Sequence, residues 1–284
     1  MKKFIAIFSL FLVYGHSFQG PSFESGLKGD YGHEKYSEKD PRWKVLKDLY
    51  SAYQSEYNVS EEYLIPKIIH LIWIGKPIPE RCQKVVESWK KFHPDWIVKV
   101  WGNKDALAFK FQNQEAFDTA KNYSEKSDIW RQELLYQYGG IYADTDQECL
   151  QSFDSLNRTA EFFIGIGHGE PEVWCGIIGS RPYHPIMQSC VENTMVGNGD
   201  NDIGRIMEGG PYFVNRMFMK FITENPNPGK VVAFPTSVFY PFPPKLRFLL
   251  KDRKRIKDKY VRPETMSIQY HDCSWQPGSE NYSF

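Results

Sequence analysis

The sequence predicts an α/β fold with a mostly parallel central sheet. Three observations carry this. Strand-like apolar runs alternate with helical patterns. The first run, in "IPKIIHLIWIGKPIPE", is apolar almost throughout at Ile68, Ile69, Leu71, Ile72 and Ile74, as a strand buried on both faces is. A helical stretch ending in Gly139-Gly140 returns directly into the short apolar run "IYA".

Taken in order, residues 1–20 open with Lys2 and Lys3 and an apolar run from Phe4 to Tyr14. That pattern suits a secretory signal or signal anchor, and predicts an exported or membrane-anchored protein with possible membrane association through its N-terminus. Residues 21–60 form a polar linker. Within it Trp43, Leu46, Leu49, Tyr50 and Tyr53 recur at helical spacing and predict an amphipathic neck helix. The main domain spans 61–284. After the first strand, Gly75 and Pro77 break the chain, and "PERCQKVVESWKKFHP" reads as a helix stopped by Pro94. "WIVKVW" reads as a strand, and "DALAFKFQNQEAFDTAKN" and "SEKSDIWRQELLYQYG" as helices. Beyond "IYA", the runs "EFFIGIGHG" and "VWCGIIGS" are strand-like, and helices follow His184 and "GGP". The late run "KDRKRIKDKY" reads as a solvated helix face, with a phosphate or membrane surface as the alternative.

Lysine plus arginine equals aspartate plus glutamate at 35 each, so the net charge is zero. A neutral chain has no field for long-range capture of nucleic acid. Five dispersed cysteines without CxxC spacing argue against zinc and against a full disulfide framework. Sequons stand at Asn58, Asn122, Asn157 and Asn281.

The chemistry concentrates at Asp144-Thr145-Asp146, which ends the "IYA" strand. On an extended segment Asp144 and Asp146 point the same way, with Thr145 turned aside. Two adjacent carboxylates repel unless a cation sits between them, and hard oxygen ligands suit magnesium, manganese or calcium. In α/β sheets ligands bind at the carboxyl ends of strands. A metal there could hold an anionic group such as a diphosphate. Upstream, Asp128 and Arg131 are three apart on one helix face, near its start, where the dipole favours an acid. A surface ion pair is the plain alternative. A second D-x-D, Asp200-Asn201-Asp202, lies in a Gly/Asn-rich loop.

"IPKIIHLIWIG" followed by "SDIWRQELLYQYGGIYADTD" resembles the DXD-containing sugar-transferase family (glycosyltransferase family 32), which includes fungal mannosyltransferases and bacterial polysaccharide enzymes. The catalytic domains of glucosylating clostridial toxins share these blocks. The resemblance runs from about Ile65 to Trp275. It implies a GT-A fold, a nucleotide-diphosphate sugar donor such as GDP-mannose or a UDP-hexose, Mn2+ or Mg2+, and retaining transfer to a glycan, glycolipid or protein acceptor. By resemblance Trp73 stacks on the donor base, and Asp128 and Arg131 hold the donor sugar and diphosphate. Tyr142 lies near the diphosphate. Asp144 and Asp146 bind the metal, with Asp128, Arg131 and Asp146 carrying catalysis. "SIQYHDCSWQ" resembles a C-terminal segment in which His271 is a third metal ligand and Ser274 and Trp275 close over the phosphates. His271 sits one residue nearer the tryptophan than the family pattern, and Cys175-Gly176 stand where many relatives carry a sugar-contacting asparagine.

Three other readings compete. A glycoside hydrolase needs two separated carboxyls flanking a glycosidic bond. An inactive sugar-binding domain needs no intact metal motif. A secreted toxin-like protein glycosyltransferase shares the same site.

Overall fold

The computed structural model describes residues 18–27, 37, 39–197, 201–249 and 251–272. The expected signal segment lies outside them apart from residues 18–20. Among the described residues no helix is long and apolar enough to cross a membrane.

The described residues contain eight strands: β1 Ile68–Ile72, β2 Ile97–Trp101, β3 Gly140–Ala143, β4 Gln147–Cys149, β5 Phe162–Ile166, β6 Val173–Ser180, β7 Val231–Phe234 and β8 Ser267–Gln269. Six form the main sheet in the order β2-β1-β3-β6-β5-β7. β1 runs parallel to β2 and β3, and β5 parallel to β7, while β6 is antiparallel to both its neighbours. The expected α/β sheet is thus present, with one reversed strand. β4 and β8 make a separate antiparallel pair.

The helices are α1 Phe23–Leu27, α2 Pro41–Glu56, α3 Glu80–Phe92, α4 Asn103–Ala108, α5 Gln114–Thr119, α6 Tyr123–Tyr138, α7 Asp154–Thr159, α8 Pro185–Glu192, α9 Asp202–Gly209, α10 Pro211–Glu224, α11 Thr236–Phe239 and α12 Arg253–Tyr260. A 3-10 helix spans Pro244–Leu249. α2 is the amphipathic helix read from the sequence. Asp40 caps it by accepting the Arg42 N–H at 2.9 Å, and Pro41 suits its first position. Its apolar face packs into the main core, where Tyr50 and Tyr53 meet Phe234 of β7 edge-on at 5.9 and 5.0 Å.

The single helix expected over "DALAFKFQNQEAFDTAKN" is instead α4 and α5. Phe109 and Phe111 are both buried while Lys110 is exposed. That period of two belongs to an extended link, and burying both rings outweighs helical continuity.

Gly139 and Gly140 adopt φ of 63° and 94°. A Cβ on Gly140 would lie 2.5 Å from the Ile68 carbonyl oxygen, so the chain turns from α6 into β3 hard against β1 only without a side chain there. His70 of β1 locks this turn. Its Nε2–H donates to the Gly139 carbonyl at 2.8 Å, and its Nδ1 accepts the Trp101 indole N–H at 3.0 Å. Both nitrogens are satisfied in the neutral ring.

Burial pushes the His70 pKa down to about 4. Between pH 6.5 and 4 the unfolded chain then binds a proton at this position that the folded chain refuses. Stability from His70 is complete above pH 6.5 and falls as pH drops toward 4, by roughly 3 kcal/mol across the window. Urea unfolding at stepped pH should show this loss. His70→Gln should flatten the slope; an unchanged slope refutes the assignment.

Candidate functional site

A cavity of about 820 Å³ opens over the carboxyl ends of β1 and β3. The DXD motif enters it through a tight turn, not an extended segment. β3 ends at Ala143, the Asp144 N–H bonds the Gly176 carbonyl at 2.8 Å, and the Gln147 N–H returns to the Asp144 carbonyl at 2.9 Å. The expected same-side arrangement of the carboxylates holds, but the turn produces it. Gln269 Nε2 reaches Asp144 Oδ2 at 2.9 Å and Asp146 Oδ1 at 3.4 Å, so one amide bridges both.

Asp128 and Arg131 form an ion pair on α6, and both side chains are buried in the cavity wall. The surface-pair alternative is therefore set aside. α6 begins at Tyr123, which places Asp128 in the second turn; Arg131, not the helix dipole, holds its charge. Arg131 also donates to the Cys175 carbonyl at 2.7 Å and lies 3.6 Å from Asp144 Oδ1. Its guanidinium stands 4.7 Å over the Tyr142 ring, and the Tyr142 hydroxyl donates to Asp144 Oδ1 at 2.8 Å. Asp128 Oδ2 and Arg131 Nε are buried without hydrogen-bond partners, leaving two polar atoms at the cavity wall unsatisfied.

Electrostatics follow from burial. Desolvation raises the Asp144 pKa, against the pull of Arg131. It pushes Asp146 up to about 7, helped by the Asp144 charge. Two half-buried, mutually repelling carboxylates with free lone pairs have the chemistry of a hard divalent cation site. Among the described residues no group of three His, Cys, Asp or Glu is assembled as a metal cluster.

His271 lines the cavity but does not meet the aspartates. Its Nε2 bonds the Phe242 carbonyl at 3.0 Å, its ring lies edge-on to Trp174 at 5.7 Å, and burial lowers its pKa to about 3. One nitrogen of the expected third ligand is thus taken by a backbone carbonyl, while Nδ1 keeps its lone pair. Its neighbour comes closer: the Asp272 N–H donates to Asp146 Oδ2 at 2.8 Å, and the Asp272 carboxylate pairs with Arg81 of α3 at 2.6 Å. The β4–β8 pair, with Gln147 opposite Gln269, brings this segment to the motif. Ser274 and Trp275 lie outside the described residues.

Trp73 follows β1 and is half-buried in the cavity wall. Its indole N–H is spent on the Lys76 carbonyl at 2.8 Å, which leaves the ring face as its functional surface. Sequence reasoning missed Tyr123, Arg81, Gln269 and Asp272. Tyr123 is exposed, lines the same end of the cavity, and its ring lies on Gly75, where a Cβ would meet it at 2.5 Å. A lone glutamine or tyrosine carries no local signal; only its neighbours across the fold define it. At Gly176 a Cβ would sit 2.8 Å from Gln269 Oε1 and 3.1 Å from Asp144 Oδ2, so the bare backbone there makes room for the bridge. The sequon residue Asn157 is fully buried, and the four described cysteines are free and buried.

Residues 79–163 match the family model described as a glycosyltransferase sugar-binding region containing a DXD motif. Over 182 residues the chain is 28% identical to inositol phosphoceramide mannosyltransferase 1 of Schizosaccharomyces pombe, covering 59% of this chain and 56% of that protein. Over 152 residues it is 29% identical to the mannosyl phosphorylinositol ceramide synthase CSH1 of Saccharomyces cerevisiae, covering 50% and 39%. The chain spans about half the length of the first of these relatives and less of the second. Among solved structures, the PaToxG glycosyltransferase superposes with a TM-score of 0.46 at 20% identity, covering 66% of this chain and 79% of that one.

Removing one partner from a buried ion network leaves an uncompensated charge. Arg131→Leu should therefore destabilise the fold by roughly 3–5 kcal/mol. Asp128→Asn combined with Arg131→Leu should recover a large part of that loss. Chemical denaturation of wild type, both singles and the double variant tests it; additive losses would show that the pair does not act as a unit.

Proposed function

We propose that this chain, which carries the sugar-binding region of the DXD-containing glycosyltransferases across residues 79–163, is a metal-dependent retaining hexosyltransferase. The observation that carries the reading is the joining of the Asp128–Arg131 pair and the Asp144–Asp146 turn in one cavity, with Asp128 Oδ2 and Arg131 Nε unsatisfied. A donor hexose hydroxyl would satisfy the first atom and a phosphate oxygen the second.

The donor is a nucleotide-diphosphate hexose such as GDP-mannose or a UDP-hexose. The named relatives support mannose and an inositol phosphoceramide-type glycolipid acceptor, with other glycan or protein acceptors as alternatives. Trp73 offers its ring face to the donor base, with Tyr123 beside it. Arg131 stays protonated: burial opposes its charge, the nearby Asp144 favours it, and a guanidinium does not lose its proton in proteins. It orients the diphosphate and steadies the charge that develops as the leaving group departs. Asp128 fixes the hexose so that the acceptor hydroxyl approaches the anomeric carbon.

Asp144 and Asp146 are the residues that would hold Mg2+ or Mn2+. His271 would join them through Nδ1, with Nε2–H donating to the Phe242 carbonyl. The cation supplies positive charge to the diphosphate when bound.

A donor screen with purified protein and manganese, following release of nucleoside diphosphate, tests the reading. Asp144→Asn and Asp146→Asn should each abolish metal-dependent release while the melting temperature stays near wild type. Full turnover in either variant, or in excess chelator, sinks the metal role.

Trp73→Ala should weaken nucleoside diphosphate binding by roughly 1–3 kcal/mol, the scale of base–aromatic stacking. Calorimetric titration alongside a melting curve reads this. A fold destabilised by roughly 3–5 kcal/mol with unchanged binding would instead make Trp73 a core residue.

A further inference from the structure

Residues 245–262 hold nine lysines and arginines against two aspartates, a net +7 in a chain whose total charge is zero. They comprise most of the 3-10 helix, all of α12 and the residues between and after them. Side chains three apart in a 3-10 helix share a stripe, so Pro244–Leu249 presents three. Leu246 and Leu249 turn inward onto a small core of Phe242, Ile256, Tyr260, Ile268 and Tyr270. Pro244, on the second stripe with Arg247, lines the cavity. Lys245 and Phe248 form the third and face solvent, with Phe248 61% exposed.

α12 repeats the division. Ile256 and Tyr260 are buried, while Lys254 and Arg255 are exposed. Of the two acids, Asp252 is engaged as the helix cap, accepting the Arg255 N–H at 2.8 Å. The exposed positions of this stretch therefore include Lys245, Lys251, Lys254 and Arg255 and the Phe248 ring, with Asp258 the one exposed acid beside Lys254 and Arg255 on α12. None of these four cations holds a carboxylate among the described residues.

We propose that this face docks on an anionic lipid surface. Charge complementarity selects the occupant: clustered cations meet acidic headgroups, and an aromatic ring enters the boundary between headgroup and acyl chain. Leu246 and Leu249 tie the face to the small core beneath it, and Pro244 beside the docking stripe lines the cavity. Docking therefore brings the cavity close to the headgroup layer, where a membrane-borne acceptor stands. The attachment goes beyond the transfer chemistry and is measured without it.

The test is vesicle co-sedimentation of the full chain. One set of vesicles is phosphatidylcholine alone; the other contains roughly one-third phosphatidylserine. Wild type should bind the anionic set more tightly, and added salt should weaken that binding. Lys254→Glu with Arg255→Glu, and separately Phe248→Ser, should each reduce anionic-vesicle binding about tenfold or more. All three positions are exposed and lie outside the cavity, so melting curves and nucleoside diphosphate release from the donor, measured with a soluble acceptor, should stay at wild-type values. Equal binding to both vesicle sets, or variants that bind as wild type does, overturns the proposal. Loss of release with vesicle binding intact would instead count against the transferase reading and leave this one standing.

Discussion

The site depends on one buried cation. Arg131 pairs with Asp128, approaches Asp144, donates to the Cys175 backbone and stands over the Tyr142 ring. Each contact comes from a different part of the fold: its own helix, the DXD turn, strand β6 and strand β3. Low dielectric makes every one of these interactions stronger than in water, and makes the loss of any one more expensive. A single guanidinium therefore sets the relative placement of Asp128 and Asp144. The fork of donors on arginine serves this; a lysine ammonium could not address four partners in a fixed plane.

Arg131 can reach all of them because α6 and β3 are joined without slack. The two glycines leave no loop between helix and strand, and His70 clamps the junction to β1 through the Gly139 carbonyl. The opposite wall has a different origin. The β4–β8 ladder carries Gln269 and Asp272 across more than a hundred residues of chain to the aspartates, and Arg81 of α3 pins the end of that segment. One wall is built by local sequence and the other by long-range pairing.

The even balance of charge conceals a strong partition. The basic stretch at 245–262 is offset by acids spread over the rest of the chain. The cavity itself concentrates Asp128, Asp144, Asp146 and Asp272 against only a few cations. Such a cavity repels a bare diphosphate unless a divalent ion accompanies it, whereas the neighbouring surface attracts anions directly. The same molecule thus presents opposite fields at its cavity and at its basic surface.

Sequence alone determined whatever is encoded within one or two turns of chain: the alternation of strands and helices, the α2 face, the Gly139-Gly140 return, the Asp128–Arg131 spacing and the DXD pair. These rest on periodicity and backbone conformation, which are local properties. The break between α4 and α5 escaped because burying Phe109 and Phe111 is a tertiary gain that outweighs helical propensity. The reversal of β6, the short strands β4 and β8, and the bridging place of Gln269 have no local signature; they follow from which edge each segment finds when the core closes. His271 is the sharpest case. Its type and position suggested a ligand, and the fold adds what the sequence could not show: Nε2 is held by the Phe242 carbonyl, a partner that only packing puts within reach.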